Sequence, residues 1–567
     1  MAREGDDLRS NPPRLSSPLG FLRPHYDVVV VGSGYGGAVI AARLADGRRK
    51  VCVLERGREL QSGDYPDTLE RALREFQVDT PDRHLFSPSG LYDLRINPEM
   101  SVFLGCGLGG TSLINANVAL RPPAEVFKHP DWPGAIQLEA YRGTLGRWFA
   151  KAARELRPAK LPAEQSPRKL RALKGIQESL KHATFERAPV TVEFQKRSAR
   201  GTPAERATDM FPCTACGDCV SGCNYGAKRT LLTSYLPMAW RNGAQIFTEV
   251  KVRSVEPYRI GNGDPYSRWI VHFDHLGSGR ERFTAKALSI TAHTVILSAG
   301  ALGSPEILMR SQAQCGLRLS GMLGKRFSGN GDVLAFSYKN RERVDGIGFG
   351  AQPPEGSDLP GPCISGFVKV SGGGQSSELL LEDAVIPGAL SPILALSFML
   401  IQLSGGVPRR VSERDFSIWQ ILEDTMRGGV NATQTYLAMV RDHDYGKLVR
   451  RGDRVRISWP RANRSAPYRE FGRLVSKNAE ELGGSYVPSP FGPITVHPLG
   501  GCVMGDGPNK GAVDDTGAVF DPERGDVHAG LYVCDASIIP VPLLRNPLLT
   551  ITALSERAAH LIAQLVP

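Results

Sequence analysis

Four consecutive valines, Val28-Val29-Val30-Val31, run straight into Gly32-Ser33-Gly34-Tyr35-Gly36-Gly37, and an alanine-rich stretch follows. A second apolar run, Val51-Cys52-Val53-Leu54, then closes on the acid Glu55. This order of strand, glycine turn, helix, strand and acid leaves few alternatives: it dictates a parallel βαβ unit with a helix N-terminus at the turn. Gly32 is expected to make the tight turn. Gly34 is expected to let the backbone approach a pyrophosphate, and Gly37 to let the helix pack close to the strand. Tyr35 and Gly36 complete the loop. A helix N-terminus receives anionic phosphates, and an acid roughly 20 residues past the glycines can accept a ribose hydroxyl. The segment therefore predicts dinucleotide binding.

With 567 residues the chain is too long for one simple core, and two or three domains are expected. The formal net charge of +11 raises the question of a polyanionic partner. No dense Lys/Arg run and no nucleic-acid motif accompanies it, so nucleic acid is not expected as a partner. A solvated basic surface accounts for the charge, and a transient contact with anionic membrane surfaces is compatible with it. Residues 1–26 carry acids and prolines and no apolar core of signal-peptide length, so they read as a disordered leader. Residues 389–407 are the most apolar window, but Pro392, Gln402 and serines interrupt it. It is too short and polar for a membrane span and reads as a buried helix or a cavity wall. The expected location is cytoplasmic, with membrane contact at most peripheral.

Patterning divides the chain further. Residues 27–120 hold the dinucleotide unit and a second glycine-rich stretch; residues 121–205 read as a helical connection on the substrate side. Residues 206–228 are a cysteine-rich insert, and residues 229–325 return to strand patterns ending in Thr294-Val295-Ile296-Leu297-Ser298-Ala299-Gly300. Residues 326–490 mix strands and helices with glycine- and proline-rich loops, as a substrate-binding domain would. Residues 491–567 supply a last strand and an alanine-rich helix. Nucleotide-binding parts are thus scattered, with other material inserted between them.

Three further segments carry a resemblance. They are residues 97–115 (containing Gly105-Cys106-Gly107-Leu108-Gly109-Gly110 and ending at Asn115), Leu297-Ser298-Ala299-Gly300-Ala301-Leu302-Gly303-Ser304-Pro305-Glu306, and the pair His497-Pro498-Leu499-Gly500-Gly501-Cys502 with Asn546-Pro547. Their order and spacing resemble the glucose-methanol-choline flavoprotein oxidoreductases, and within that family most resemble the cholesterol oxidases. The resemblance covers nearly the whole chain. It implies an α/β fold: a doubly wound, Rossmann-like FAD-binding domain with an inserted α+β substrate-binding domain built on a mixed sheet. It also implies FAD as cofactor and a lipophilic alcohol such as a sterol as substrate, with O2 or an electron carrier reoxidising the flavin.

On the same resemblance, Gly109, Gly110 and Asn115 belong to the flavin-contacting loop. Gly300 belongs to the second signature, Asp535 contacts the ribityl or phosphate region, and the Val250 backbone meets adenine. His497 is expected to orient or deprotonate the substrate hydroxyl, a task suited to a group titrating near neutrality. Asn546 offers both donor and acceptor and can bridge substrate oxygen and flavin without a charge change; as Asn-Pro before a helix it is also a turn residue. Glu382 is the expected proton shuttle for moving a Δ5 double bond to Δ4, because a carboxyl between apolar neighbours has a raised pKa. Asp383, next to it, is the competing acid.

Cys213, Cys216, Cys219 and Cys223 have the spacing C-x2-C-x2-C-x3-C of a bacterial [4Fe–4S] run. Asn224 stands where ferredoxins carry proline, and the run occurs once. An iron–sulfur cluster, a zinc site and four metal-free thiols all remain open on this spacing.

Overall fold

The computed structural model describes residues 13–180, 182–195, 210–258, 268–278, 286–352, 359–371, 378–403, 429–440, 444–460, 462, 466–490 and 492–566. The valine run lies in the strand His25–Val31, at the centre of an eight-stranded sheet. Val51–Leu54 pairs with it in parallel on one side and Leu288–Leu297 on the other. Strands covered on both faces read as unbroken apolar runs, and this is why these three were legible. Gln245–Phe247 extends the parallel set beyond Val51–Leu54.

Leu288–Leu297 is long enough to serve two partners. Its first half pairs antiparallel with Trp269–His275, which continues antiparallel to Val250–Pro257; its second half pairs in parallel with Asp526–Val533. The C-terminal region thus returns to the sheet that the N-terminal region began. The helix Tyr35–Leu44 packs against Leu548–Ile562, the helix expected near residues 550–566. Arg43 fixes that contact by donating to the buried carboxylate of Glu556, which also accepts the Tyr235 hydroxyl.

A second sheet of six strands runs in the order Ser485–Pro488, Asp332–Tyr338, Gln434–Met439, Leu379–Ala384, Gly366–Val370, Ala183–Arg187. Each of its pairings is antiparallel, whereas the eight-stranded sheet and a third sheet of five strands mix parallel and antiparallel pairs. Its edge strand Ala183–Arg187 comes from the stretch read as a helical connection. Glu382 and Asp383 are neighbours on Leu379–Ala384 and therefore face opposite sides. Asp383 faces the helix Arg168–Ser179, where Lys169 donates to it at 2.5 Å and to Ser365 Oγ at 2.8 Å. That pair is fully buried and its polar atoms are satisfied, so Asp383 is a structural residue. Glu382 is left for the other face.

Two expectations need correction or division. Residues 1–12 of the leader lie outside the described residues, but residues 13–26 are ordered. Ser17 N–H donates to Ile246 O at 2.7 Å, and the Glu59 carboxylate accepts the amides of Leu15 and Ser16. An open sheet edge offers unpaired backbone groups, and the leader takes them up. The apolar window 389–407 contains the helix Ser391–Leu403, whose Phe398 ring packs on Phe336 and Tyr338 at 5.1 and 4.7 Å. It packs on the second sheet through Leu394, Ala395 and Phe398 while Leu396 and Leu400 stay exposed, so it is half-buried, and it does not line the cavity described below. Residues 404–407 lie outside the described residues. No described helix is long and apolar enough to cross a membrane.

Candidate active site

One cavity of about 280 Å³ is lined both by the glycine turn at residues 32–36 and by His497 and Asn546. The turn is shaped by close backbone approaches. Gly32 sits at φ +93°, and a Cβ there would lie 2.4 Å from Ser298 O. A Cβ on Gly36 would lie 1.7 Å from Cys534 O, and one on Gly37 2.0 Å from Gly32 O. Gly34 alone of the four has nothing within 4 Å of that position. It is the N-cap of Tyr35–Leu44, so its open side adjoins the helix's unpaired N–H groups. The two glycine stretches are tied together: Gly109 N–H donates to Ser33 Oγ at 2.9 Å, and Gly110 lines the cavity beside Gly34.

Glu55 accepts from Ser33 N–H and Oγ–H on one oxygen and from Gly57 N–H on the other. A carboxylate has about four acceptor positions, so one remains for a ligand hydroxyl. Asp535 is more fully engaged. It accepts from Gly300 N–H, Ser304 Oγ–H, Ser537 N–H and Ser537 Oγ–H, which orients Gly300 and leaves Asp535 to meet a ligand through its backbone. Val250 lines the cavity, but its N–H is donated to Glu55 O at 2.8 Å and is not free for adenine. Lys251, beside it, also lines the cavity; burial, with the charges of Arg454 and Arg253, pushes its pKa down to about 7.

At the other end Asn115 Nδ2 donates to Tyr35 OH at 2.8 Å, while Asn115 Oδ1 is buried without a partner. Asn546 Nδ2 donates to Glu382 Oε2 at 3.2 Å; Asn546 Oδ1 and Glu382 Oε1 are likewise buried and unpaired. Buried polar atoms are rarely left so. Two orphaned amide oxygens, of Asn115 and Asn546, and a phosphate-ready glycine turn line one cavity, and that lining fits FAD.

His497 Nδ1 lies 2.9 Å from Asp332 Oδ1. The other Asp332 oxygen accepts from Thr495 Oγ1, Val496 N–H and His497 N–H. An ionised carboxylate only accepts, so Nδ1 carries the proton and Nε2 presents a lone pair. Burial disfavours the imidazolium, yet the charge and hydrogen bond of Asp332 and the charge of Glu382 raise the His497 pKa above its ordinary value. Glu382 is also raised, to about 8, chiefly by burial; the Asp383 and Asp332 charges add to this against the Asn546 bond and the His497 charge.

Asp332 and Asn330 escaped the sequence reading. Asn330 Nδ2 donates to Arg545 O and its Oδ1 accepts Leu543 N–H, fixing the loop that ends in Asn546. The alternation Ser328-Gly329-Asn330-Gly331-Asp332, polar and glycine-rich just before an apolar strand, was the available signal.

The cysteine run does not form a site for one metal ion. Among the described residues no three His, Cys, Asp or Glu side chains are grouped to hold one, so the zinc reading fails on geometry. All four are free thiols lining one pocket.

A glycine turn, buried asparagines and an imidazole–carboxylate pair around one cavity define a flavin-dependent oxidoreductase of alcohols. The chain belongs to the GMC oxidoreductase family, whose N- and C-terminal domain models match residues 26–327 and 468–555. It is 26% identical to a cholesterol oxidase of Acinetobacter baumannii, over 95% of this chain and 94% of that one. It is 27% identical to a cholesterol oxidase of Mycobacterium tuberculosis, over 95% and 91%. A solved pyridoxine 4-oxidase from Mesorbium loti shares the fold at TM-score 0.58 and 17% identity, over 94% of this chain and 99% of that one.

Proposed function

We propose that the protein oxidises a 3β-hydroxysteroid such as cholesterol to the 3-ketosteroid and shifts its double bond from Δ5 to Δ4. FAD, when bound, supplies the hydride acceptor. Residues 32–37 with Gly109, Gly110, Glu55, Gly300 and Asp535 would hold it. His497 Nε2 accepts the substrate hydroxyl proton, and the Asn546 amide orients that hydroxyl by donating its second Nδ2–H to the oxygen. Asp332 keeps the imidazole in the tautomer this requires.

The observation that carries the steroid reading is Glu382: a fully buried acid, bonded to Asn546, with a free oxygen and a pKa of about 8. Near neutral pH such a group keeps an ionised fraction that can take a proton from one carbon and return it to another. Alcohol oxidation alone has no need of it. Similarity to two cholesterol oxidases along nearly the whole chain supports the same substrate class. Reoxidation by O2 would yield hydrogen peroxide.

A second reading concerns the acceptor. The thiol pocket adjoins the cavity, which favours a dehydrogenase that delivers electrons through an iron–sulfur cluster to a carrier.

The test is an anaerobic absorption spectrum of the flavin-loaded protein before and after cholesterol. Bleaching of the flavin bands, with Δ4-3-ketosteroid as product, is the expected result. Bands unchanged by sterols but bleached by another bulky alcohol would sink the steroid reading and keep the family chemistry.

A further inference from the structure

We infer that Cys213, Cys216, Cys219 and Cys223 hold a polynuclear iron–sulfur cluster that shares a wall with the flavin cavity; this deepens the second reading above. All four cysteines line one pocket of about 250 Å³. That is several times the ~30 Å³ a water molecule takes in the liquid. Four cysteines that line one space match a cluster in which each thiolate binds a different iron. Cys223 lines this pocket with the other three, whereas Cys363, the nearby fifth cysteine, does not.

The loop is built to keep this shape. A Cβ on Gly222, at φ +106°, would lie 2.1 Å from the Tyr65 ring. Asn224 Oδ1 accepts the amides of Gly63 and Tyr65, and its Nδ2 donates to Tyr65 O. The residue that replaces the ferredoxin proline therefore anchors the end of the run. Asp218 accepts the amides of Gly350 and Gly388 and anchors its middle. Two amides are aimed at sulfur: Ala215 N–H donates to Cys213 Sγ at 3.3 Å, and Cys363 N–H to Cys219 Sγ at 3.5 Å. Hydrogen bonds to cysteine sulfur are among the features that set cluster potentials.

The pocket's position gives the cluster its use. Val220, inside the run, lines the flavin cavity. Lys228 lines the thiol pocket and donates to Cys219 O, Leu113 O and Asn115 O at 2.9, 2.9 and 2.7 Å, joining the run to the asparagine loop. Oxidation of one alcohol to a ketone releases two electrons and two protons. The cluster would pass the electrons singly to two molecules of a soluble one-electron acceptor, and the protons would go to solvent.

The test is iron and acid-labile sulfide analysis of the full chain, purified anaerobically and reconstituted with ferrous iron and sulfide. About four irons per chain are expected for a cubane, with a paramagnetic signal on dithionite reduction. Cys216→Ser and Cys219→Ser are expected to lose the iron and keep the FAD. About one iron without sulfide, or wild-type iron no higher than in a Cys213→Ser/Cys216→Ser variant, would overturn the inference. Should the variants fail to fold, the Mössbauer spectrum of the wild type decides alone, because it separates cluster iron from adventitious iron. Iron is also read in His497→Ala, so failure of the alcohol reading and failure of the cluster are scored separately.

Discussion

Asp332 accepts the His497 Nδ1–H at 2.9 Å on one oxygen while its other oxygen accepts the His497 backbone N–H at 3.0 Å. One carboxylate thereby fixes the position, tautomer and charge balance of the imidazole. The pair is built from two distant segments: a loop before the C-terminal strands and the first residue of a strand in the second sheet.

Replacing Asp332 with asparagine tests that control. The amide preserves much of the shape and removes the charge that raises the His497 pKa. Below that pKa the ring is protonated and accepts nothing, so turnover rises with pH through it. Without the charge, the acid limb of kcat/KM is expected at lower pH. The rate on the plateau is expected to fall by about 10²-fold, within the range assigned to a positioned base. The pH profile separates this from mere loss of packing, which would leave the limb in place.

Glu382→Gln is expected to spare oxidation and abolish formation of the Δ4 ketone, so the Δ5 ketone accumulates. Product chromatography reads this directly. The same variant makes a stability prediction of definite sign. The folded pKa, about 8, lies above the ordinary glutamate value of 4.5, so the folded state holds its proton where the unfolded chain has lost it. Stability is then lost as pH rises from the lower value to the upper. Glutamine cannot ionise, so the variant should gain stability relative to wild type as pH rises through that window. The gain should level off above about 8, at a few kcal/mol at most. A melting-temperature difference that is flat with pH would show that Glu382 is not held neutral.

Much of this architecture could be read from local pattern. The strand His25–Val31 is buried on both faces, so it announces itself, and the glycine turn must be glycine wherever backbone meets backbone. His497 and Asn546 stand out in the sequence through flanking prolines and glycines that resemble a family pattern. What the sequence could not show was partnership across distance. Asp332 lies 165 residues from His497, and no local periodicity links them. The choice between Glu382 and Asp383 depended on which face of one strand meets Lys169, a fact of tertiary packing.

The glycines separate folding from cofactor binding. Gly36→Ala would push a Cβ into Cys534 O, a backbone atom with no freedom to yield, and the protein is expected to accumulate poorly. Gly34→Ala meets nothing and should fold with a melting temperature near that of the flavin-free wild type. Its Cβ would occupy the side open to the pyrophosphate, so FAD affinity should fall by at least tenfold. Flavin fluorescence titration and thermal melts of the two variants check both halves. Equal FAD affinity in Gly34→Ala and wild type would place the pyrophosphate elsewhere.

Asn330 supports the remaining half of the site. It adopts φ +57°, a left-handed conformation that asparagine tolerates better than alanine, and both of its amide atoms serve the loop at residues 543–545. Asn330→Ala strands Leu543 N–H and Arg545 C=O inside the protein, at about 1–3 kcal/mol for each, and adds backbone strain of about 1 kcal/mol. A fall in melting temperature is therefore expected, but stability alone does not establish a role at the site. Asn546 follows Arg545 directly, so a loosened loop displaces the amide that orients the substrate hydroxyl. At a temperature where the variant is fully folded, kcat should drop while KM changes little, because hydride transfer needs that alignment more than binding does. The acid limb of the pH profile should stay where the wild type has it, since Asp332 and His497 remain paired. A variant that melts lower yet turns over at the wild-type rate would make Asn330 a stability residue only.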